Sequence, residues 1–352
     1  MKIGIVTFHR AHNYGAVLQC YALQTILEVL GFESFVIDYR QKTIEENYKT
    51  FSWKKFVTKL PHPIPIWNYL KSAIERRNRG VLFKQFVEKY LKTIPFDNKI
   101  PEEMDVVMIG SDQLWSVNIT GGYDLFYFGD IPRKSKQKIV SYAISSNVLS
   151  IKGLSNEQLL HFLSNFHKLS FREKNIAELV ECITGRKSEI CIDPVLLTTA
   201  DMWCGLINKS WANRKYILLY QVQPINNDFE KAENVARKIA EDRACELIDL
   251  TKVRYSPENF VSLFYYASFI VTTSFHGTAF SVLFHKPFVT LHVNEIVDER
   301  ANNLLSQVGL PDRMIYYNDK FVDKPIDFCS VDDCLNVVRN KSINYIKGLE
   351  QL

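Results

Sequence analysis

The segment Thr272-Thr273-Ser274-Phe275-His276-Gly277-Thr278 sets an imidazole at the turn between an apolar strand-like stretch and a helix-like one, with Gly277 beside it and hydroxyls around it. The first N–H groups of a helix lack intrahelical partners and attract anions. An imidazole held there can exchange a proton near neutral pH, which suits general acid or base work on an anionic substrate. A lone histidine beside apolar sequence is more often a satisfied core residue, but the turn, the glycine and the hydroxyls favour chemistry here. Ser274 and Gly277 join His276 as candidate anion contacts. Arg300, after the next apolar stretch, offers a second positive group or, on spacing alone, a solvent-exposed partner of Glu299.

Three further segments follow apolar stretches. In Gly110-Ser111-Asp112-Gln113-Leu114-Trp115 a carboxylate and an amide are placed to orient sugar hydroxyls, and Trp115 would offer a flat apolar face to a pyranose ring. The plainer alternative is a helix-capping aspartate with a core tryptophan. Arg172, in Ser170-Phe171-Arg172-Glu173, carries a planar fork that fits carboxylate or phosphate, with an ion pair to a neighbouring acid as the ordinary alternative. Asn13 and Gly15, in His9-Arg10-Ala11-His12-Asn13-Tyr14-Gly15, stand at the mouth of a helix, where Asn13 would either cap the helix or touch ligand.

These residues need strands and helices to position them. Lys2 to Phe8 reads as a buried strand, Asn13 to Leu30 as a helix stopped by Gly31, and Ser34 to Tyr39 as the next strand. That is a β-α-β unit and implies a parallel sheet with helices on its faces. After a basic stretch with Pro61, Pro63 and Pro65 and a helix from Lys71 to Tyr90, the alternation returns. Strands are expected at 106–110, 138–143 and 168–171, and Ile190 to Leu197 as a last strand and exit. A second series starts near Lys215, with strands at 216–222, 245–250, 269–274 and 288–293 and a helix from Thr278 to Phe284. Ser330 opens a terminal helix in a pattern like a capping box. The fold class expected is α/β, two Rossmann-like domains facing a cleft. The boundaries are 1–197 with a basic insertion at 50–95, a linker at 198–214, a second domain at 215–330 and a terminal helix at 331–352. In such sheets ligands gather beyond the carboxyl ends of the strands, where the four segments lie.

At roughly 150 residues per domain, 352 residues suit two domains with cores of their own. A 47% hydrophobic content excludes disorder and collagen. The formal net charge of +4 is too small for a face that coats nucleic acid, so no nucleic-acid partner is expected. The charge is local: Trp53 to Lys92 holds ten Lys/Arg against Glu75 and Glu88, a net of +8 that leaves −4 for the remainder. This stretch is either a solvated helical face or a seat for an acceptor built on a lipid diphosphate, close to an anionic membrane surface. Seven cysteines without C-x-x-C or a Cys/His quartet fit a reducing cytosol and no zinc site. The N-terminus reads as a strand and not as a signal peptide. The uncharged run from Asn259 to His285 is cut by polar residues and reads as a buried strand followed by a buried helix. A cytoplasmic location, peripheral to the membrane at most, follows. No Walker loop, H-E-x-x-H, G-x-S-x-G or D-x-D occurs, which disfavours P-loop hydrolysis, zinc peptidase chemistry, the hydrolase elbow and metal-chelating glycosyl transfer.

Taken in order, N-Y-G-A-V-L-Q-C-Y-A-L, G-S-D-Q-L-W, S-F-R-E, D-P-V-L-L and T-S-F-H-G-T-A-F-S make the chain resemble the polysaccharide pyruvyltransferase family from Lys2 to about Arg313. The resemblance implies a GT-B-like fold. It also implies transfer of pyruvate from phosphoenolpyruvate to two hydroxyls of a sugar in a cell-surface or capsular polysaccharide precursor, giving a cyclic ketal, with no cofactor, metal or nicotinamide. It assigns donor binding to Arg172, His276 and Arg300, with Ser274 and Gly277 beside them. Asn13 and Gly15 match the family's N-terminal motif beside the cleft; residue chemistry adds Ser111, Gln113 and Trp115 as acceptor contacts and gives catalysis to His276 as acid or base, with Asp112 as the alternative base. Ser116 stands where many relatives have Asn. The competing enzyme reading is a GT-B glycosyltransferase using a nucleotide sugar, and a silent binding or scaffold protein is the third.

Overall fold

The computed structural model describes residues 1–48, 63–222, 228–253, 255–319, 321 and 323–352. Lys54, Lys55, Lys59 and Pro61 of the basic stretch lie outside them. The chain divides into two compact units, one of Met1–Ile190 with Gly348–Leu352, the other of Cys191–Lys347.

The first unit carries a seven-stranded sheet in the order β3-β2-β1-β4-β5-β6-β7: β1 Lys2–Val6, β2 Glu33–Asp38, β3 Thr93–Pro95, β4 Val106–Asp112, β5 Lys138–Ile144, β6 Ser170–Phe171 and β7 Glu189–Ile190. Every pairing is parallel. β4 is buried along its whole length, as expected of a strand covered on both faces. Chain order reverses between β1 and β4, so the ligand crevice of this unit is expected beyond their carboxyl ends. Helix α1, Tyr14–Val29, follows β1, and α2 is Lys42–Asn47. The helix α3 runs from Pro63 to Tyr90 and begins earlier than the periodicity suggests.

The second unit carries a five-stranded parallel sheet in the order β12-β11-β10-β8-β9: β8 Tyr216–Tyr220, β9 Glu246–Asp249, β10 Phe269–Thr272, β11 Phe288–Leu291 and β12 Met314–Ile315. Its order reverses between β8 and β10, and the His276 segment follows β10. The helices that bear on the site are α4 Pro194–Leu197, α5 Phe275–Leu283, α6 Glu295–Gln307 and α7 Phe328–Lys347.

Several expected boundaries move. The first unit ends at Ile190, and Ile190 to Leu197 is not one strand. Asp193 caps α4, accepting from Val195 N at 2.9 Å, with Pro194 in the first turn, where its missing N–H costs nothing. Residues 198–214 are not a linker. They form two 3-10 turns within the second unit and bury Trp203 and Trp211, two large apolar side chains that gain more from a core than from solvent. The terminal helix starts at Phe328, because Asp327 accepts the N–H groups of Cys329 and Ser330. Among the described residues no helix is long and apolar enough to cross a membrane. Asn259 to His285 is most of a helix, then β10, then α5.

Candidate functional site

In the second unit, β10 delivers its carboxyl end to α5. Thr272 Oγ1 donates to Tyr220 O at 2.8 Å and accepts from Ser274 N at 3.0 Å, which ties the turn to the neighbouring strand. Helix α5 begins at Phe275, so His276 lies inside its first turn and not in a loop ahead of it. Gly277 is explained by packing: a Cβ there would stand 2.0 Å from Thr272 Oγ1, and only glycine lets the helix approach the strand this closely. Ser274 occupies the cap position without a side-chain capping bond.

His276 is buried, and its Nε2 stands 3.6 Å from Asp193 Oδ2, longer than a hydrogen bond, and accepts or donates no hydrogen bond among the described residues. Asp193 is a residue that sequence reasoning read only as part of the exit from the first domain. Its signal was the motif D-P-V-L-L, where an acid precedes Pro194 at a helix start. The Arg300 guanidinium lies over the Phe275 ring, 5.6 Å from its centroid, and the same ring meets the His276 ring edge-on at 5.1 Å. Arg300 and His276 are therefore brought together around one phenylalanine. The adjacent strand adds a second imidazole: His292 Nδ1 is 2.8 Å from Asp298 Oδ2. Burial pushes the Asp298 carboxyl up, although the Val293 N–H and His292 pull the other way. No spacing rule in the sequence pairs these two.

In the first unit the motif residues divide between scaffold and surface. Asn13 is the cap of α1, accepting from Ala16 N at 3.3 Å, and Gly15 is buried in the first turn. Ser111, expected on the acceptor, is enclosed. Its hydroxyl donates to Ala143 O at 3.1 Å and accepts from the Arg172 guanidinium, while its carbonyl accepts from Thr7 Oγ1 at 2.8 Å. Arg172 follows β6, as the sequence implies, and its guanidinium holds the strand end before Asp112. Trp115, expected under a sugar ring, is 1% exposed. Its Nε1 donates to Tyr127 O at 2.8 Å and its ring stacks on Phe128 at 4.6 Å, so it has no face to offer. Asp112 ends β4 at φ +87°, a region that aspartate tolerates better than most residues, and accepts from Gln113 N at 2.9 Å. Gln113 remains partly exposed beside it.

Sequence reasoning also missed Arg79. It sits on α3, within the basic stretch, with its guanidinium over the rings of Tyr14 at 5.3 Å and Phe83 at 5.4 Å. Its covered Nε makes no hydrogen bond among the described residues. Burial first, and the Arg79 charge second, lower the basicity of His12; the same guanidinium acts on Tyr48, whose hydroxyl burial pushes up with help from Asp112. A charged residue from the insertion thus reaches the start of α1.

At the end of β2, Asp38 takes a bidentate pair from Arg10, 2.8 Å at each oxygen, with His9 Nε2 at 2.9 Å and Arg40 at 3.0 Å. Burial opposes ionisation, yet these bonds hold the carboxyl well below the usual carboxylate range. A folded-state value below the unfolded one stabilises the fold above the unfolded carboxylate range, and that contribution is lost as pH falls toward the folded value. Asp38→Asn is expected to cost about 2 kcal/mol at pH 7, the scale of hydrogen bonds to charged groups. In urea titrations the gap from the parent should begin to narrow below about pH 4, near the reference carboxylate range, and shrink further as pH falls toward the folded value. A gap independent of pH would refute the account.

The sequence profile of the polysaccharide pyruvyl transferase family matches residues 13–294, a span that includes Asn13, Asp112, Arg172, Asp193 and His276. The chain belongs to the polysaccharide pyruvyl transferase family. It is a transferase, and the family's general activity is polysaccharide pyruvylation. A comparison with curated proteins finds none that matches. Among solved structures, the chain is similar to UDP-GlcNAc 2-epimerase from Methanocaldococcus jannaschii, at 12% identity over 100% of both chains with a TM-score of 0.50. It is also similar to a putative UDP-N-acetylglucosamine 2-epimerase from Listeria monocytogenes, at 11% identity over 97% of this chain and 90% of that one, TM-score 0.46. The E. coli heptosyltransferase WaaC with ADP aligns at 11% identity over 97% of this chain and 100% of that one, TM-score 0.39. The first likeness shows a common fold, of the GT-B class, and says nothing of chemistry. Among the described residues of this pyruvyl transferase family member, no group of three or more His, Cys, Asp or Glu side chains is placed to hold a metal ion.

Proposed function

We propose that this member of the family moves the enolpyruvyl group of phosphoenolpyruvate onto two hydroxyls of a sugar in a cell-surface polysaccharide precursor, forming a pyruvate ketal. The observation that carries the reading is His276 in the first turn of α5, beside the Asp193 carboxylate and sharing Phe275 with Arg300. Phosphoenolpyruvate carries a carboxylate and a phosphate close together, and a helix start with a guanidinium beside it answers both. The family motif S-F-R-E supports Arg172 as a further donor guanidinium.

In the proposed reaction a proton is delivered to the methylene carbon, and the adjacent carbon becomes an oxocarbenium. One sugar hydroxyl bonds to that carbon, the C–O bond to phosphate breaks, and a second hydroxyl closes the ring. The carbon skeleton gains one proton at the methyl group; of the two hydroxyl protons, one restores the acid and the other leaves on inorganic phosphate. His276 is the proposed acid for the first step, or the base that takes a hydroxyl proton, and the buried Asp193 carboxylate steadies the imidazolium that base action forms. Asp112, at the end of β4, is the proposed alternative base on the acceptor.

Donor binding tests the reading. Phosphoenolpyruvate is expected to raise the melting temperature by several degrees at a hundred-fold excess over Kd, as about 2.7 kcal/mol of linkage would require. Stabilisation by a uridine or guanosine diphosphate with none by phosphoenolpyruvate would instead make the protein a nucleotide-sugar glycosyltransferase.

A further inference from the structure

The second unit holds an imidazole and a carboxylate that the proposed chemistry has not used. β11 runs beside β10 with Thr290 level with Thr272, and the ladder continues past its end, where the His292 N–H donates to Ile315 O at 2.8 Å. His292 is therefore level with Ser274, the cap of α5. Alternation along the strand puts it on the face of Thr290, whose hydroxyl meets that of Thr278 on α5 at 2.7 Å, while Val289 and Leu291 turn to the core on the other face. Helix α6 then joins the two histidines. It carries Asp298 against His292 and, two residues on, Arg300 over the Phe275 ring that His276 meets.

His292 is held as a base would be. Its Nδ1 stands 2.8 Å from Asp298 Oδ2, and the same oxygen accepts the Val293 N–H at 2.8 Å. Asp298 is 2% exposed, so water does not compete for that oxygen. The Tyr316 ring lies 4.5 Å from the imidazole and limits its rotation. An ionised carboxylate only accepts, so Nδ1 carries the hydrogen and Nε2 presents its lone pair. The side chain is 22% exposed, against 9% for His276. Of the two imidazoles, the one fixed by a full hydrogen bond is also the one nearer solvent, where phosphate must leave.

We propose that His292 is a second proton-transfer group, carrying the proton of the first sugar hydroxyl to the departing phosphate, with Asp298 as its positioning residue. The inference rests on the pyruvyl transfer reading and supplies a proton route within it. As the hydroxyl oxygen bonds to the oxocarbenium carbon, its O–H bond breaks and Nε2 takes the proton. The imidazolium, steadied by Asp298, gives that proton to a phosphate oxygen as the C–O bond to phosphate breaks, and returns to neutral. His276, having protonated the methylene carbon, takes the proton of the second hydroxyl and is restored as the acid.

Kinetics of variants, and NMR of the labelled imidazole nitrogens in the parent, test it. His292→Gln is expected to lower kcat by about 10²- to 10⁴-fold with KM for phosphoenolpyruvate held, as loss of a general base would. His292→Gly should regain rate as free imidazole is added, which a merely structural loss would not. Asp298→Asn should lower kcat as well, and His292→Gln/Asp298→Asn should fall no further than His292→Gln, because the pair acts as a unit. In the parent, inorganic phosphate should shift the His292 Nε2 signal, assigned by its absence from His292→Gln. This titration uses unaltered protein, so the proposal does not depend on a variant folding. A kcat within a few-fold of the parent, a loss confined to KM, or a loss that imidazole does not restore would each overturn it. So would a His292 signal that phosphate leaves unmoved. If the parent transfers no pyruvate while phosphate still moves the signal, the pyruvyl transfer reading has failed and the phosphate contact at His292 stands.

Discussion

His276→Ala is expected to lower kcat for pyruvyl transfer by about 10²- to 10⁴-fold, the range that a positioned acid or base contributes. Phosphoenolpyruvate should still stabilise the variant, because Arg300 and the start of α5 remain. The split separates catalysis from binding, since an interaction made only in the transition state lowers kcat without raising KM. Single-turnover conversion followed by mass measurement of the acceptor gives the rate, and circular dichroism checks the fold. Activity within a few-fold of the parent would remove His276 from the chemistry. Asp193→Asn is the companion variant. Its amide oxygen can still accept from Val195 N, so α4 keeps its cap while the charge facing His276 disappears. A smaller fall in kcat, about ten-fold, with KM for phosphoenolpyruvate held, would mark Asp193 as a positioning residue. A lower melting temperature with kcat intact would mark it as structural only.

The local structure around the candidate site was legible where local signals coincide. Apolar Phe269 to Thr272, a polar turn and a glycine announced a strand, a crossing and a helix. Because the carboxyl end of a parallel strand is where ligands gather, His276 and Arg300 could be singled out without knowing the sheet order. Asp193 could not, because its role depends on α4 coming to rest beside α5, a contact between segments far apart in the sequence. The same limit applies to His292 with Asp298 and to Arg79, which looked like one more charge on a solvated helix. Gly277, expected among the donor contacts, has a packing reason as well: a Cβ there would meet the Thr272 hydroxyl. The expected linker at 198–214 failed on its own composition. Two tryptophans are too much apolar surface to leave on a tether, and they fold into the second unit.

Trp115→Ala is expected to destabilise the fold by about 3 to 5 kcal/mol, the usual cost of truncating a buried tryptophan. The ring stacks on Phe128, meets Phe166 at 6.0 Å and Phe171 at 5.4 Å edge-on, and donates its only N–H to Tyr127 O. Removing it empties the space below β4 and leaves the Tyr127 carbonyl unpaired, so a cavity term and a desolvation term add. Trp115→Phe keeps most of the packing and loses the hydrogen bond, and should cost about 1 to 2 kcal/mol. Urea unfolding of both variants gives the two numbers. The sugar-binding alternative makes the opposite forecast, with stability retained and acceptor KM raised. Residual activity of Trp115→Ala, measured well below its melting temperature, should show parental KM for the acceptor, because nothing that touches the tryptophan is free to touch a sugar. A raised acceptor KM with unchanged stability would return Trp115 to the binding surface. It would also mean that the aromatic cluster around Phe128 opens in solution, which its burial at 1% exposure argues against.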